Sequence, residues 1–251
     1  MMIADGLHIW PIDANTMYKG DSDEVGRQGQ WIVDQDDNPA LPKVYRNRLM
    51  SYDMERLNPL PSRFINHRTT LALMFIQLHI WVWGPPVVTE FAPLQLDTII
   101  RDILEKNVEG TTSPLSSLAH RISWDNLPRT LTHGNCTFDN TMVRPDTHDL
   151  VFISPKPATP AVPDMRAVDL GRILQSIMGF EEVRYNDTHR GFHAHHTQLR
   201  GLVQDDNEWL ATLFWCVVHL LRCLPRTTDK QLKLDIWKLI HNTIELGKIS
   251  V

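Results

Sequence analysis

The ten residues Leu131–Asn140 read LTHGNCTFDN and decide how the rest of the sequence is interpreted. His133 is followed two positions later by Asn135, and Asn140 stands five positions after that. This spacing is typical of a loop in which an aspartate orients a hydroxyl group and a later asparagine holds a metal ion. The middle position here carries an amide, which lacks the charge and the basicity of a carboxylate. The stretch therefore combines a recognisable spacing with an altered catalytic position.

Composition limits the class of protein. The chain has 251 residues, 42% of them hydrophobic and 22% charged, which is ordinary for a globular protein with a sizeable core. Its net charge of -5 gives no support to a nucleic-acid role. Three scattered cysteines do not form a disulfide framework, and the N-terminus lacks the pattern of a secretory signal. Two apolar stretches, 71–83 and 209–224, carry polar residues and are shorter than the roughly 20 apolar residues of a spanning helix. We expect a cytoplasmic protein without membrane or nucleic-acid partners.

The pattern of elements predicts an α+β fold. The first ~50 residues are rich in turns and short strands, among them Trp31–Val33 and Lys43–Tyr45. Helical spacing begins at Ser51 and dominates the rest, including long apolar helices over 207–224 and 230–247. Strands first and helices later indicate a small β-rich N-lobe and a larger helical C-lobe. We place the N-lobe at residues 1–91 and the C-lobe at 92–251, with a hinge near 88–93 and the loop at 133–140.

Other parts of a phosphate-handling site can be sought in chain order. Phosphoryl transfer depends on a loop over the phosphates, a lysine that binds them and a glutamate that orients the lysine. The stretch 18–26 stands where such a loop is expected, with Gly20 and Ser22 as its contacts. Lys43 on a predicted strand and Glu55 on a predicted helix form the candidate pair.

Two further segments extend the candidate site. Glu90 and Phe91 end an apolar strand whose backbone would hydrogen-bond an adenine. Downstream of the loop, Phe152-Ile153-Ser154-Pro155 ends at the position where a metal-binding aspartate normally follows two apolar residues.

In these features the chain resembles the aminoglycoside/choline-kinase group of phosphotransferases, which have a two-lobed protein-kinase-like fold. The resemblance covers roughly residues 16–225 and depends on HGNCTFDN, FISP and the helix VDLGRILQS. It implies ATP and Mg²⁺ as possible cofactors and a small hydroxylated acceptor. It also implies that His133 and Asn135 occupy the catalytic positions, with Asn140 and Ser154 at the metal positions.

The departures from the family pattern concern charge. Asn135 replaces the aspartate that would orient the acceptor, and Ser154 replaces the main Mg²⁺ ligand, although Mg²⁺ prefers carboxylates. Asp139 is the candidate substitute, with three further carboxylates nearby at Asp146, Asp149 and Asp164. Asp169 in VDLG is interpreted as a helix-capping residue beside the core, in preference to a metal ligand.

Two other groups of residues are candidate sites. The histidines of THRGFHAHHTQ, residues 188–198, could bind zinc, but a solvated or acceptor-side helix face is the preferred interpretation because no second ligand cluster completes a set. Cys136 lies within the loop, where the family geometry would leave it partly exposed. It has no identifiable base partner, so we interpret it as a bystander.

Three functional hypotheses follow. The first is a pseudokinase-like binding or regulatory protein that keeps a nucleotide-sized cleft but transfers phosphoryl groups poorly. The second is an active ATP-dependent phosphotransferase acting on a small hydroxylated substrate. The third is an interaction scaffold without nucleotide binding. The sequence does not identify an acceptor or a protein partner.

Overall fold

The fold is described from a computed structural model, which describes residues 2–4, 7–13, 16–20, 22–35, 38–60, 68–84, 99, 101, 112–159, 162–185, 196–203 and 205–249. The described elements are two antiparallel sheets, eight α-helices, a π-helix over Leu78–Trp83 that continues the second α-helix, and three short 3₁₀ helices at Trp124–Asn126, Phe138–Asn140 and Leu224–Arg226. The eight strands are β1 (Met2–Ala4), β2 (Leu7–Pro11), β3 (Thr16–Gly20), β4 (Val44–Asn47), β5 (Ser51–Glu55), β6 (Asn58–Pro59), β7 (Thr141–Val143) and β8 (Leu150–Phe152). The α-helices are α1 (Asp23–Val33), α2 (Arg68–Gln77), α3 (Thr112–His120), α4 (Arg166–Ile177), α5 (Phe180–Tyr185), α6 (His196–Leu202), α7 (Asp206–Leu221) and α8 (Lys230–Ile249).

The N-terminal part is a five-stranded antiparallel sheet covered by α1. The strand order is β1-β2-β3-β5-β4, and Lys19 on β3 lies opposite Tyr52 on β5. Helix α1 begins at Ser22, whose hydroxyl accepts a hydrogen bond from the Val25 backbone N–H, and two acidic residues in its first turn suit the helix dipole. Its buried face repeats at helical spacing and consists of Val25, Gly26, Gln28, Gly29 and Ile32.

Two predictions for this region were wrong. Trp31–Val33 lies within α1 instead of forming a strand, and the predicted helix after Ser51 is replaced by β5 and β6. Strand β5 pairs with β3 on one side and β4 on the other and is buried from Ser51 to Met54, and this packing outweighs the helical spacing of Met54, Leu57 and Leu60.

A second, three-stranded sheet joins distant parts of the chain. Its order is β6-β7-β8, so β6 pairs with the strands that follow the 133–140 loop. The strands predicted at 140–143 and 150–153 are confirmed within a residue. The Phe152 N–H also donates to the Ala40 carbonyl at 2.8 Å, which ties this sheet to the segment before β4.

The C-terminal part is a helical core in which α4 packs along α7. Gly171 makes this close approach possible, because a Cβ atom there would lie 2.7 Å from the Trp215 Cβ and 2.8 Å from the Cys216 backbone N. An ion pair of Arg166 with Glu208 joins the two helices at 2.5 Å. The predicted helices over this region are confirmed, with bounds that differ by one to three residues.

Helix α7 and the turn after it, Asp206–Arg226, have the length and apolar composition of a membrane-crossing helix. However, 78% of the apolar window is buried inside the protein, and a buried core helix passes the same test. This helix is therefore weak support for a membrane span.

Candidate functional site

The 133–140 loop is held by the carboxylate of Asp169 on α4. Asp169 accepts hydrogen bonds from the His133 N–H at 2.9 Å, the Gly134 N–H at 2.6 Å and the Trp83 indole at 3.0 Å. Burial raises the pKa of Asp169, while these donors lower it. Asp169 is thus a structural anchor of the loop. Its predicted capping role was wrong, since Met165 is the N-cap of α4.

Gly134 fixes the path of the loop. Its φ of +73° lies in the left-handed region, and a Cβ atom there would come within 2.1 Å of the Lys156 carbonyl oxygen. The Lys156 N–H donates to the His133 carbonyl at 2.8 Å. The loop therefore lies directly against the segment that follows Ser154.

Cys136 is fully buried, contrary to the partial exposure expected from the sequence. Its thiol donates to the Asp169 carbonyl oxygen at 3.3 Å, and burial raises its pKa well above the ordinary value. A buried thiol that resists ionisation is a poor nucleophile, so the interpretation of Cys136 as a bystander is supported.

Asn135 and Ser154 are brought together as the sequence predicted. Both side chains are buried, and the Asn135 amide donates to the Ser154 carbonyl oxygen at 3.0 Å. A carboxylate in this position could not donate that hydrogen bond. Ser154 adopts φ +61°, an unusual conformation for a residue with a side chain. The amide is therefore integrated into the local structure.

Lys19 is the site residue that the sequence interpretation missed. Its ammonium group donates to the Gln28 Oε1 at 2.9 Å and to the Ser154 hydroxyl. All three side chains are buried, and the Tyr52 ring lies 6.0 Å from the Lys19 Nζ. Kinases carry their phosphate-binding lysine on the third strand and pair it with a glutamate of the next helix. In this chain Lys19 lies on the third strand and Gln28 on the helix that follows, and Gln28 is neutral.

The predicted pair of Lys43 and Glu55 is not formed by the side chains. Lys43 is exposed, and only its backbone N–H donates to Glu55, at 3.0 Å. The Glu55 carboxylate pairs with Arg144 at 2.8 Å, and Arg144 also donates to the carbonyls of Pro39 and Leu41. Glu55 lies on β5 and not on a helix, so it faces the second sheet and fastens the two sheets together.

Of the remaining predicted nucleotide contacts, two are described by the structure and two are not. Gly20 ends β3 and Ser22 caps α1, so the predicted phosphate loop over 18–26 is instead a strand followed by a helix. Glu90 and Phe91 lie outside the described residues. The signal that could have located Lys19 is Ser22-Asp23-Glu24, a helix start directly after a strand.

Asn140 and Ser154 by themselves are a poor ligand set for Mg²⁺. The Asn140 Oδ1 is buried without a hydrogen-bond partner among the described residues, while its Nδ2 donates to the Thr137 hydroxyl at 2.7 Å. One orphaned acceptor suits a cation, but the Ser154 hydroxyl already accepts a hydrogen bond from the Lys19 ammonium. No cluster of three His, Cys, Asp or Glu side chains suited to a metal occurs in the described part of the chain. Mg²⁺ prefers several charged oxygen ligands, which these residues do not supply.

The nearby carboxylates are engaged elsewhere. Asp139 accepts a hydrogen bond from the Tyr185 hydroxyl. Asp164 accepts from the backbone and the hydroxyl of Thr132, and Asp149 from the Thr147 hydroxyl at 2.6 Å. Of the histidine-rich stretch, residues 188–195 lie outside the described residues, so its interpretation stays a prediction.

Two buried histidines flank the site and stay neutral. Burial, and then the charge of Lys19, lower the pKa of His133 to about 3. The pKa of His219 on α7 is also lowered well below 6.5, by burial first and then by Arg172 and Arg222. The His219 Nε2 faces the Val168 carbonyl at 3.2 Å. His133 therefore acts as a packed, uncharged residue, in edge contact with Trp31.

A cavity of about 880 Å³ opens beside the loop. Its walls come from α1, the loop, residues 155–159 and the helices α4, α5, α7 and α8. Asn135 and Asp139 both line it. Its volume is in the range of small-molecule sites.

Comparison with known proteins locates the fold but not the family. No protein-family model matches the sequence, and no curated protein sequence matches it. Solved structures do match. A choline kinase from Streptococcus pneumoniae aligns at TM-score 0.59 with 11% identity, covering 98% of this chain and 92% of that one. An ethanolamine kinase from Plasmodium vivax aligns at 0.54 with 13% identity, covering 99% and 85%.

An aminoglycoside 2'-phosphotransferase, solved as its GDP complex, aligns at TM-score 0.58 with 13% identity, covering 96% of this chain and 90% of that one. A second structure of the choline kinase is a complex with AMP and aligns at 0.54 with 12% identity, covering 98% and 93%. The chain thus has the two-lobed, protein-kinase-like fold of choline/ethanolamine kinases and aminoglycoside phosphotransferases. The predicted fold class is confirmed.

Proposed function

We propose that this protein is a pseudokinase-like member of the phosphotransferase fold, which binds a nucleotide at Lys19 without the help of Mg²⁺ and transfers phosphoryl groups poorly. The observation that carries the proposal is the buried contact of the Lys19 ammonium with Gln28 and Ser154. Both of these acceptors are neutral at positions where an active kinase uses carboxylates. Asn135 adds a third neutral residue at the catalytic position.

The electrostatic consequence supports weak catalysis. Phosphoryl transfer depends almost entirely on positioned charge, because the protein contributes little covalent chemistry. Positions 28 and 154 carry neutral side chains instead of carboxylates. The site therefore lacks the negative charge that would help to bring a divalent cation to the phosphates. The Asn135 amide cannot accept the proton of an acceptor hydroxyl.

Nucleotide binding is supported by the retained cation and by the fold. Lys19 stays on the strand from which kinases contact phosphates, and an ammonium group attracts them without a metal. The similar structures include complexes with AMP and GDP. The substrates in their names, choline, ethanolamine and aminoglycosides, are amines, but at these identities they do not define the acceptor of this chain.

An active phosphotransferase remains the second candidate because of Asn140. Its buried Oδ1 has no partner among the described residues, and an orphaned acceptor is costly unless a ligand completes it. In this alternative, Asn140 holds a metal ion together with the nucleotide phosphates, and Asp139 assists from the cavity wall.

Restoring the missing carboxylates tests the proposal. We expect Asn135→Asp with Ser154→Asp to raise ATP hydrolysis by roughly tenfold or more, since one lost electrostatic contact typically costs that much. Because Asn135 donates to the Ser154 carbonyl, the double variant will be less stable, so its fold is checked by circular dichroism. Ser154→Asp alone is the second variant.

The matched control adds two carboxylates away from the site, as Ser123→Asp with Asn126→Asp on an exposed turn. It should hydrolyse ATP no faster than the wild type. Wild-type turnover near the 1–100 s⁻¹ range of kinases, roughly, would refute the proposal. A folded restored variant without any gain would show that Asn135 and Ser154 are not the lost base and metal ligand.

A further inference from the structure

The cavity beside the loop has a predominantly basic wall. Six lining residues are cationic: Arg27, Lys156, Arg172, Arg184, Arg222 and Arg226. Four are acidic: Glu24, Asp139, Glu181 and Asp229. The cations come from five separate parts of the fold, namely α1, the segment after Ser154, α4, α5, and the C-cap of α7 with the turn that follows it. A cavity that gathers cations from several elements attracts anions, although the chain as a whole is acidic.

Most of the acidic side chains are bonded within the protein. Glu181 is buried and accepts from the Ser176 hydroxyl at 2.6 Å. Asp229 accepts from the backbone N–H groups of Gln231 and Leu232, which begins α8. Asp139 accepts from the Tyr185 hydroxyl. These carboxylates already accept hydrogen bonds, and the donors partly screen their negative charge from a ligand in the cavity.

Three of the cationic side chains, those of Arg27, Arg172 and Arg226, keep donors that suit an anion. Arg172 donates to two neutral acceptors, the Gly134 carbonyl at 3.2 Å and the Gln175 side chain at 3.0 Å. Neither contact cancels its charge. Neither Arg27 nor Arg226 forms an ion pair with another residue of the described ranges. Guanidinium groups bind phosphate and carboxylate in a bidentate manner.

Two further lining residues are consistent with a positive electrostatic potential in the cavity. Asn135 lines the cavity with an amide, where a catalytic carboxylate would repel an anion. His219 also lines it, and after burial the charges of Arg172 and Arg222 are the next causes that lower its pKa. The arginines therefore act on the same interior region.

We propose that this cavity binds a small organic polyanion, a molecule with two or more phosphate or carboxylate groups, held by Arg172, Arg222 and Arg226 beside Asn135. The volume of about 880 Å³ accommodates a molecule of metabolite size. The inference extends the proposed function, since it names the ligand class of the acceptor side of the same site, and it rests on that function. The neutral Asn135 and the basic wall then both favour the binding of an anion, and without a catalytic carboxylate the anion is left unchanged.

Calorimetric titration of the full chain tests the proposal. Pyrophosphate and citrate are the probes for phosphate and carboxylate, and spermidine is the cationic control. We expect saturable binding of at least one anion, weakened by salt, and no comparable binding of spermidine. Arg222→Gln with Arg226→Gln should weaken anion binding roughly tenfold or more, because charge-assisted hydrogen bonds are lost.

Arg46→Gln, an exposed arginine on β4 outside the cavity, is the matched control and should bind the anion as the wild type does. Arg226→Gln alone, on an exposed side chain, replaces the double variant if the latter does not fold. The proposal is overturned if neither anion binds, or if the cavity variants bind as tightly as Arg46→Gln does.

The two proposals fail in different ways. The Arg222 and Arg226 variants should bind the anion more weakly but still bind ADP, because Lys19 is not among the residues that line the cavity. Pyrophosphate that binds equally well to the wild type and to these variants would overturn the anion proposal and leave the Lys19 site intact. Fast ATP turnover with anion binding unchanged would instead overturn only the proposed function.

Discussion

At the scale of the residue, the carboxylate of Glu55 has a structural role in place of the predicted ligand-binding one. The Glu55 carboxylate accepts from the Arg144 Nε and Nη2 across two sheets, with 12% of its side chain exposed. We expect Glu55→Gln to lower the free energy of unfolding by about 2 kcal/mol, since a hydrogen bond to a charged group is lost. Urea denaturation measures this loss. Nucleotide affinity should stay unchanged.

The exposed ion pair of Glu245 with Lys248 supplies the control. Glu245→Gln should change stability by less than about 0.5 kcal/mol. If Glu55→Gln instead left stability intact and reduced nucleotide affinity, the assignment of Glu55 to the nucleotide site would be correct after all.

The neutral histidines predict a loss of stability in acid. His133 and His219 have lowered pKa values when folded, yet both bind a proton near pH 6.5 when unfolded. Below that pH the unfolded state takes up protons that the folded state does not, so acidification favours unfolding. Each histidine should remove about 1.4 kcal/mol of stability per pH unit below about 6.5.

Denaturation curves at about pH 6.5 and about pH 5 measure this dependence. His219→Gln should remove about half of the decline attributed to the two histidines, because the glutamine cannot titrate. An unchanged pH dependence in this variant would contradict a neutral, buried His219.

At the scale of the element, the packing of α4 on α7 rests on a glycine. A methyl group at Gly171 meets Trp215 and the Cys216 backbone below 3.0 Å, so Gly171→Ala should force the helices apart and cost about 1 to 3 kcal/mol. Gly201 on α6 has no atom within 4 Å of its added Cβ. Gly201→Ala should therefore be neutral or stabilising by up to about 1 kcal/mol.

Thermal unfolding of the two variants separates packing from helix propensity, since both replace a helical glycine by alanine. Equal melting temperatures would mean that α4 and α7 are not in the close contact described. A large loss in Gly201→Ala would point to a partner of α6 outside the described residues.

Sequence patterns located the loop and the C-terminal helices but not the elements around Lys19. The spacing of His133, Asn135 and Asn140 is local and survives in a single sequence, and α8 has a long, regular apolar pattern. Helix α1 was missed because its glycines suggested a turn, whereas Gly26 lets the helix approach the Leu49 carbonyl, which lies 1.7 Å from the Cβ position.

The partner of Lys19 could not be inferred from spacing alone. Gln28 is an ordinary polar residue until the sheet and α1 bring it to the ammonium, and Ser154 lies 135 residues away from Lys19. Strand β5 was misread because its neighbours on both sides, β3 and β4, decide its conformation. Contacts that depend on tertiary packing cannot be predicted from a local sequence pattern.

At the scale of the whole molecule, one region is lined by neutral residues and the neighbouring cavity by cationic ones. Neutral residues at positions 28, 135 and 154 surround Lys19 and the loop, while arginines line the adjacent cavity. The boundary predicted between lobes at 91 and 92 lies outside the described residues and stays a prediction. We propose on this basis that the kinase-like fold binds anions here and transfers phosphate poorly.

Calorimetric titration with ATP, in the presence and absence of Mg²⁺, tests this claim most directly. The account predicts binding with the same affinity in both conditions and no consumption of ATP, and it predicts that Ser154→Asp makes the affinity depend on Mg²⁺. Binding that requires Mg²⁺ in the wild type, together with ATP turnover, would contradict it. Absence of any binding at millimolar ATP would also contradict it and would favour the interaction scaffold.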